Sequence, residues 1–121
     1  MCPVYINRIA SIHAESRNEK PYFSAQEPDY KEMITNANLR RRMSRMIKMG
    51  VACGLECLKD IPSEKVDAII TATGLGCLAD TEKFMNALMD NREQMLNPTA
   101  FIQSTFNTIG AQIALLLKIH A

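Results

Sequence analysis

The sequence predicts an α/β domain, a mixed sheet with helices packed against it. Residues 66–73 form a short, almost uninterrupted apolar run, the pattern of a strand covered on both faces. Residues 38–62 instead carry apolar side chains at three- and four-residue spacing, the pattern of a helix with one buried side. Reading outward from these two segments, strands and helices alternate, which is the order of βα units with right-handed crossovers between parallel neighbours. At 121 residues the chain is one domain, residues 1–121, with a single core.

The first strand is expected at residues 4–12, where Val4 and Ile6 alternate before the phase slips to Ile9 and Ile12, as at a bulge. Residues 15–29 are polar, contain Pro21 and Pro28, and predict a surface loop pinned by Tyr22 and Phe23. Asn38 can cap a helix running to Pro62, with Leu39, Met43, Met46, Ile47, Gly50, Gly54, Cys57 and Leu58 facing inward. Small residues at Gly50, Ala52, Cys53 and Gly54 allow close packing, which offsets about 1 kcal/mol of lost helix propensity for each interior glycine. The strand at 66–73 ends at Gly74 and Gly76. Asp80 is expected to cap a helix to about Asp90, with Phe84, Leu88, Met85 and Met89 inward. Residues 98–104 predict a third strand, and Asn107 a last helix that is apolar nearly all round except for Gln112 and Lys118. Such a helix needs cover on every side, more than the preceding elements supply, so further chain after Ala121 or a partner subunit is expected.

The totals exclude several classes of function. Charged residues are 22% and hydrophobic residues 47%, a globular balance. A formal net charge of +1 provides no general pull toward nucleic acid or anionic membrane. No segment approaches the ~20 apolar residues of a bilayer span, and no signal-peptide pattern follows Met1. Four sparse cysteines suit a reducing cytoplasm better than a disulfide scaffold.

Four groups of residues invite a functional reading. Gly74-Leu75-Gly76-Cys77-Leu78-Ala79 satisfies the G-x-G-x-x-A form of a dinucleotide turn, but the next predicted strand ends in Gln103 and Ser104 where an acid would hold the ribose. Cys53, Cys57 and Cys77 lack the turn-rich spacing of a zinc site and are read as core thiols, Cys77 being the most exposed; no metal and no cofactor is expected. His13 and His120 sit at opposite ends of the chain without carboxylate partners in sequence. Arg40, Arg41, Arg42, Arg45 and Lys48 form a run of positive charge without an intervening acid, either a solvated face or a docking surface for an acidic partner. At the start of one long helix these cations would oppose its macrodipole.

Three blocks together resemble the N-terminal half of β-ketoacyl synthases. They are the helix from Arg41-Arg42-Met43-Ser44-Arg45 through Ala52 to Leu58, the strand and turn Ile69-Ile70-Thr71-Ala72-Thr73-Gly74-Leu75-Gly76, and residues 97–107 leading into Ala111-Gln112-Ile113-Ala114. In the second, Cys77 replaces the last glycine of the family's TGxGG turn. The third is similar to the family's Pro-x-x-Phe loop and the helix after it. The resemblance implies an incomplete N-terminal half of a thiolase-like fold, usually dimeric, whose cysteine attacks an acyl thioester with the help of polar residues, commonly histidines. Those catalytic positions follow the last helix in the family, so none is assigned within this chain.

By the same resemblance, Leu96, Phe101 and Phe106 are expected to line the acyl chain's path near a subunit interface. Arg40, Arg41, Arg42 and Arg45 are expected to dock an acyl carrier protein. A homodimer, or a heterodimer with another synthase subunit, is the expected assembly. The nearest flavour is that of synthase-like proteins of aryl-polyene and polyketide pathways, some of which resemble chain-length factors without a nucleophile; a dinucleotide-binding oxidoreductase domain is the alternative from another class.

Overall fold

A computed structural model describes residues 3–14 and 24–120. Six α-helices organise them: α1 (Tyr30–Met33), α2 (Ala37–Arg42), α3 (Arg45–Leu58), α4 (Leu78–Asp90), α5 (Pro98–Ser104) and α6 (Thr108–Leu117), with a 3-10 turn at Ser63–Lys65. The expected roles of Tyr22 and Phe23 lie outside the described residues.

α3 is the axis of the core. Ile47, Val51 and Ala52 are fully buried on it, and they gather Ile34, Met43, Cys77 and Ile113 from the segments around. α6 crosses α3 at the two glycines, where Ile109 fills the space beside Gly50 and Ile113 the space beside Gly54. A methyl group at either position would collide with those isoleucines, so the absent side chains set how closely the helices approach. α4 packs chiefly on α5, with Phe84 and Phe101 tilted at 54° and 5.4 Å between centroids.

The mixed sheet is not formed among the described residues. Residues 3–12 and 66–73, expected as strands, form no regular element: no backbone hydrogen bond pairs them with a neighbour, and the single bridge among the described residues joins Ala14 to Ala25. A strand needs a partner for its N–H and C=O groups, and none of the described segments lies alongside to supply one. Ile70 is 91% exposed, while Ile69 and Thr71 rest their methyl groups on Gly110 of α6. Val4 and Ile6 are likewise exposed, and the segment that carries them is tied down by Arg8, which donates to the carbonyls of Glu56 (3.3 Å) and Lys59 (2.7 Å) at the end of α3.

The third expected strand is instead helix α5. Asn97 accepts from the Thr99 N–H at 2.9 Å and Pro98 stands at the first position, a start signal that outweighs the β-branched content of the segment. The long helix expected from Asn38 is two helices: Asn36 caps α2, and the backbone turns extended at Met43 and Ser44 before α3 begins. Cys77, not Asp80, occupies the cap of α4; Asp80 lies buried in its first turn. Met46, Met85 and Met89 face solvent, correcting their inward placement. α6 buries Thr108, Gly110 and Ile113 and leaves Leu115 66% exposed. Among the described residues, no single helix is long and apolar enough to cross a membrane.

Candidate acyl-carrier site

The break between α2 and α3 changes the meaning of the basic run. Arg40, Arg41 and Arg42 occupy the last turn of α2, where cations favour the macrodipole, so the expected opposition disappears. The structure then divides the arginines. Arg40 is half-buried and donates to the Ile34 carbonyl at 2.5 Å. Arg45 pairs with Glu27 at 2.5 Å, and the Tyr30 hydroxyl donates to the other oxygen of that carboxylate at 2.7 Å. The Tyr30 hydrogen bond and Arg45 hold the Glu27 carboxyl below its usual range, while burial, then Glu27, pushes the Tyr30 hydroxyl up. Arg41 and Arg42 are exposed, and their guanidinium groups make no ion pair among the described residues. The Glu27–Tyr30–Arg45 cluster escaped the sequence reading, since its members are joined by the fold and not by spacing.

The expected acyl-lining residues are spread over one region without forming a closed tunnel. Leu96 is half-buried ahead of α5, Phe101 is 54% exposed on it, and Phe106 is 71% exposed in the turn that follows. That turn is tightly bonded. The Ser104 hydroxyl donates to the Phe101 carbonyl at 2.7 Å, and Thr105 and Thr108 both donate to that of Ile102. Thr71 reaches the Phe106 carbonyl at 3.5 Å, so the extended segment and the α5–α6 turn hold one another. Gln103, expected at the end of a strand, instead lies on α5 with its side-chain amide against the Arg42 carbonyl.

The thiols point away from nucleophilic chemistry. Cys77 is 4% exposed, correcting its expected exposure; burial first and the Asp80 charge second push its thiol up. Burial, then Cys57, does the same to Cys53. A thiol kept protonated is a poor nucleophile. Cys53 lines an open cleft of about 370 Å³ with Ser11, Gln26 and Glu27, whereas Cys57 lines a different one of about 470 Å³ beside residues 66–72. Among the described residues, no three His, Cys, Asp or Glu side chains are grouped to hold a metal ion. His13 is exposed with Ser11 Oγ at 3.3 Å from Nδ1, and His120 stands far along the chain beside Ser63, Glu64, Asp67 and Lys118.

The glycine turn does not suit a dinucleotide. Gly76 takes a left-handed φ of 64°, but the first turn of α4 carries Asp80, 7% exposed, with Oδ2 unpartnered among the described residues. A buried carboxylate at that helix N-terminus repels the pyrophosphate that the motif would recruit.

No curated protein and no solved structure matches the chain significantly. A family model does: the one described as "Beta-ketoacyl synthase, N-terminal domain" matches residues 13–120, a span that takes in the basic helix, the glycine turn and the α5–α6 region. The chain therefore belongs to the β-ketoacyl synthase family, through its N-terminal domain.

Proposed function

We propose that this chain serves a β-ketoacyl–acyl-carrier-protein synthase-like protein of fatty acid, polyketide or aryl-polyene biosynthesis, and that it binds acyl chains presented on a carrier protein. The family match over residues 13–120 carries this reading. The exposed Arg41 and Arg42 supply a docking surface for an acidic carrier, with Arg40 half-buried on the Ile34 carbonyl and the exposed Arg45 paired with Glu27 beside it. Leu96, Phe101 and Phe106 border the acyl path and a contact with a second subunit, identical or related, as exposed aromatic side chains commonly do at interfaces. In that thiolase-like assembly, residues 3–12 and 66–73 take their places as strands of the mixed sheet. The reduced thiols fit a cytoplasmic setting.

Neither Cys53 nor Cys77, both held protonated by burial, is poised for attack on a thioester. The nucleophile of a condensing enzyme would therefore lie outside them. The same observation favours a second reading, a chain-length-factor-like subunit that shapes the acyl path for a catalytic partner.

Titration of the protein with an acidic acyl carrier protein, followed by fluorescence anisotropy, tests the docking surface. Arg41→Glu with Arg42→Glu is expected to weaken binding by about tenfold or more at low salt, the loss shrinking as salt screens the contact. Arg45→Gln should do less, because Glu27 already engages that charge. Equal affinities for wild type and the double variant at low ionic strength would return Arg41 and Arg42 to a solvated face.

A further inference from the structure

Arg45 opens α3 three residues beyond Arg42, the last residue of α2, so their Cα atoms stand at most about 11 Å apart. One acidic partner can therefore engage both. Yet Arg45 is already paired within its own chain. Its Nε meets Glu27 Oε1 at 2.5 Å, and the Tyr30 hydroxyl donates to Glu27 Oε2 at 2.7 Å. Tyr30 is fixed in turn, because Asp29 caps α1 by accepting from the Lys31 N–H at 2.9 Å and α1 packs on α3. Lys48, one turn beyond Arg45, adds its attraction to Glu27. The Tyr30 hydrogen bond, then Arg45, lowers the Glu27 carboxyl, which is charged at neutral pH. Protonation does not free Arg45 there, whereas a competing anion can. The Arg45 side chain is 64% exposed and open to such a competitor.

We propose that Glu27 is an internal competitor that masks Arg45 until an acidic carrier displaces it; the inference rests on the carrier-docking reading above. A carboxylate on the carrier offers Arg45 the same contact that Glu27 already makes. Exchanging one carboxylate for the other at a partly solvated arginine is nearly balanced, so Arg45 adds little to the affinity of wild type. Arg41 and Arg42 make no ion pair among the described residues and receive the carrier without that contest. With Glu27 neutral, the carrier would gain the whole of the Arg45 contact. Partly exposed ion pairs of this kind move an equilibrium by about two- to fivefold.

The test is fluorescence anisotropy at low salt with the whole protein and an unloaded, acidic acyl carrier protein. Glu27→Gln keeps the shape and removes the charge. It should bind about two- to fivefold tighter than wild type, with an affinity that falls more steeply as salt rises. In an Arg45→Gln background the same change should give much less, since the arginine it unmasks is gone. Tyr30→Phe leaves every charge in place and loosens the carboxylate, so it should give a smaller gain of the same sign. It reads the effect as well if Glu27→Gln does not fold. An unchanged or weakened affinity in Glu27→Gln overturns the proposal. So does a gain of equal size in the Arg45→Gln background, which would be a general effect of net charge. If neither wild type nor Glu27→Gln binds the carrier, the docking reading falls and this proposal with it. Wild-type binding that Arg41→Glu with Arg42→Glu weakens, beside a Glu27→Gln affinity that does not rise, removes this proposal alone.

Discussion

Alanine at Gly54 should strain the packing of α3 on α6, and trimming Ile113 should cost far less in that background than in wild type. A Cβ at Gly54 would overlap Ile113 Cδ1 and come within 3.1 Å of Cγ1, and Ile113 is only 5% exposed. Overpacking of this kind costs about 1–3 kcal/mol. Alanine returns about 1 kcal/mol of helix propensity. The net loss for Gly54→Ala is therefore about 0–2 kcal/mol. Ile113→Val deletes Cδ1, the atom in the way, at a cost of about 0.5–1.5 kcal/mol by itself. In the double variant the two changes should compensate, with a coupling of about 1 kcal/mol. Gly50 behaves differently, because its Cβ would stand 2.8 Å from Ile109 Cδ1 and also 2.9 Å from Cγ2. Cγ2 branches from the isoleucine Cβ and remains in valine, so Ile109→Val should rescue Gly50→Ala poorly. Urea unfolding followed by far-ultraviolet circular dichroism measures all six variants and wild type. Strictly additive losses in the Gly54→Ala, Ile113→Val double variant, or equal rescue at both sites, would refute the packing argument.

Other expectations concern buried polar groups. The Cys77 thiol is raised in the folded chain, so folding keeps a proton there that the unfolded chain releases; the associated stability is present below about pH 8.5 and lost as pH climbs through the raised value. Cys77→Ala should flatten that alkaline decline in denaturation midpoints, and an unaltered slope would show that the thiol contributes nothing to it. Thr108, 3% exposed, donates to the Ile102 carbonyl, and Thr108→Val should cost about 1 kcal/mol in chemical denaturation, a neutral result counting against the bond. Asp80 buries an unpartnered oxygen, a burden of about 1–3 kcal/mol that exceeds the ~0.3–1 kcal/mol its charge gains at the helix start. Asp80→Ala should therefore raise the midpoint, and a fall would mean the carboxylate has a partner.

The helices α3, α4 and α6 were legible because each repeats its apolar residues at the period of the structure it forms. α5 was not: Thr99, Ile102 and Thr105 imitate strand composition, and the deciding signal, Asn97 before Pro98, lies at its edge. Ser44 offered a helix-start signal of the same kind inside an otherwise continuous pattern. Missing it joined α2 to α3 and reversed the sign assigned to Arg40–Arg42 in the helix field. Residues 66–73 were read as a strand covered on both faces and form none among the described residues, because pairing is a relation between segments and a local apolar run does not specify its partner. The basic run was visible as charge, whereas its division into braced and exposed arginines depends on Ile34 and Glu27, which only folding brings near.

The unpaired stretch at residues 66–73 also governs how the chain behaves in concentrated solution. Beyond Asp67 it carries neither charge nor proline up to Thr73, and β-branched residues fill two-thirds of those positions. Charges, prolines and bulges are the usual guards against edge-to-edge addition. With none of them after Asp67, and with Ile70 presented to solvent, this stretch is a template on which another copy's backbone can crystallise into cross-β order. Colloidal stability is thus decided less by the near-neutral charge of the whole chain than by whether these few amides and carbonyls are covered.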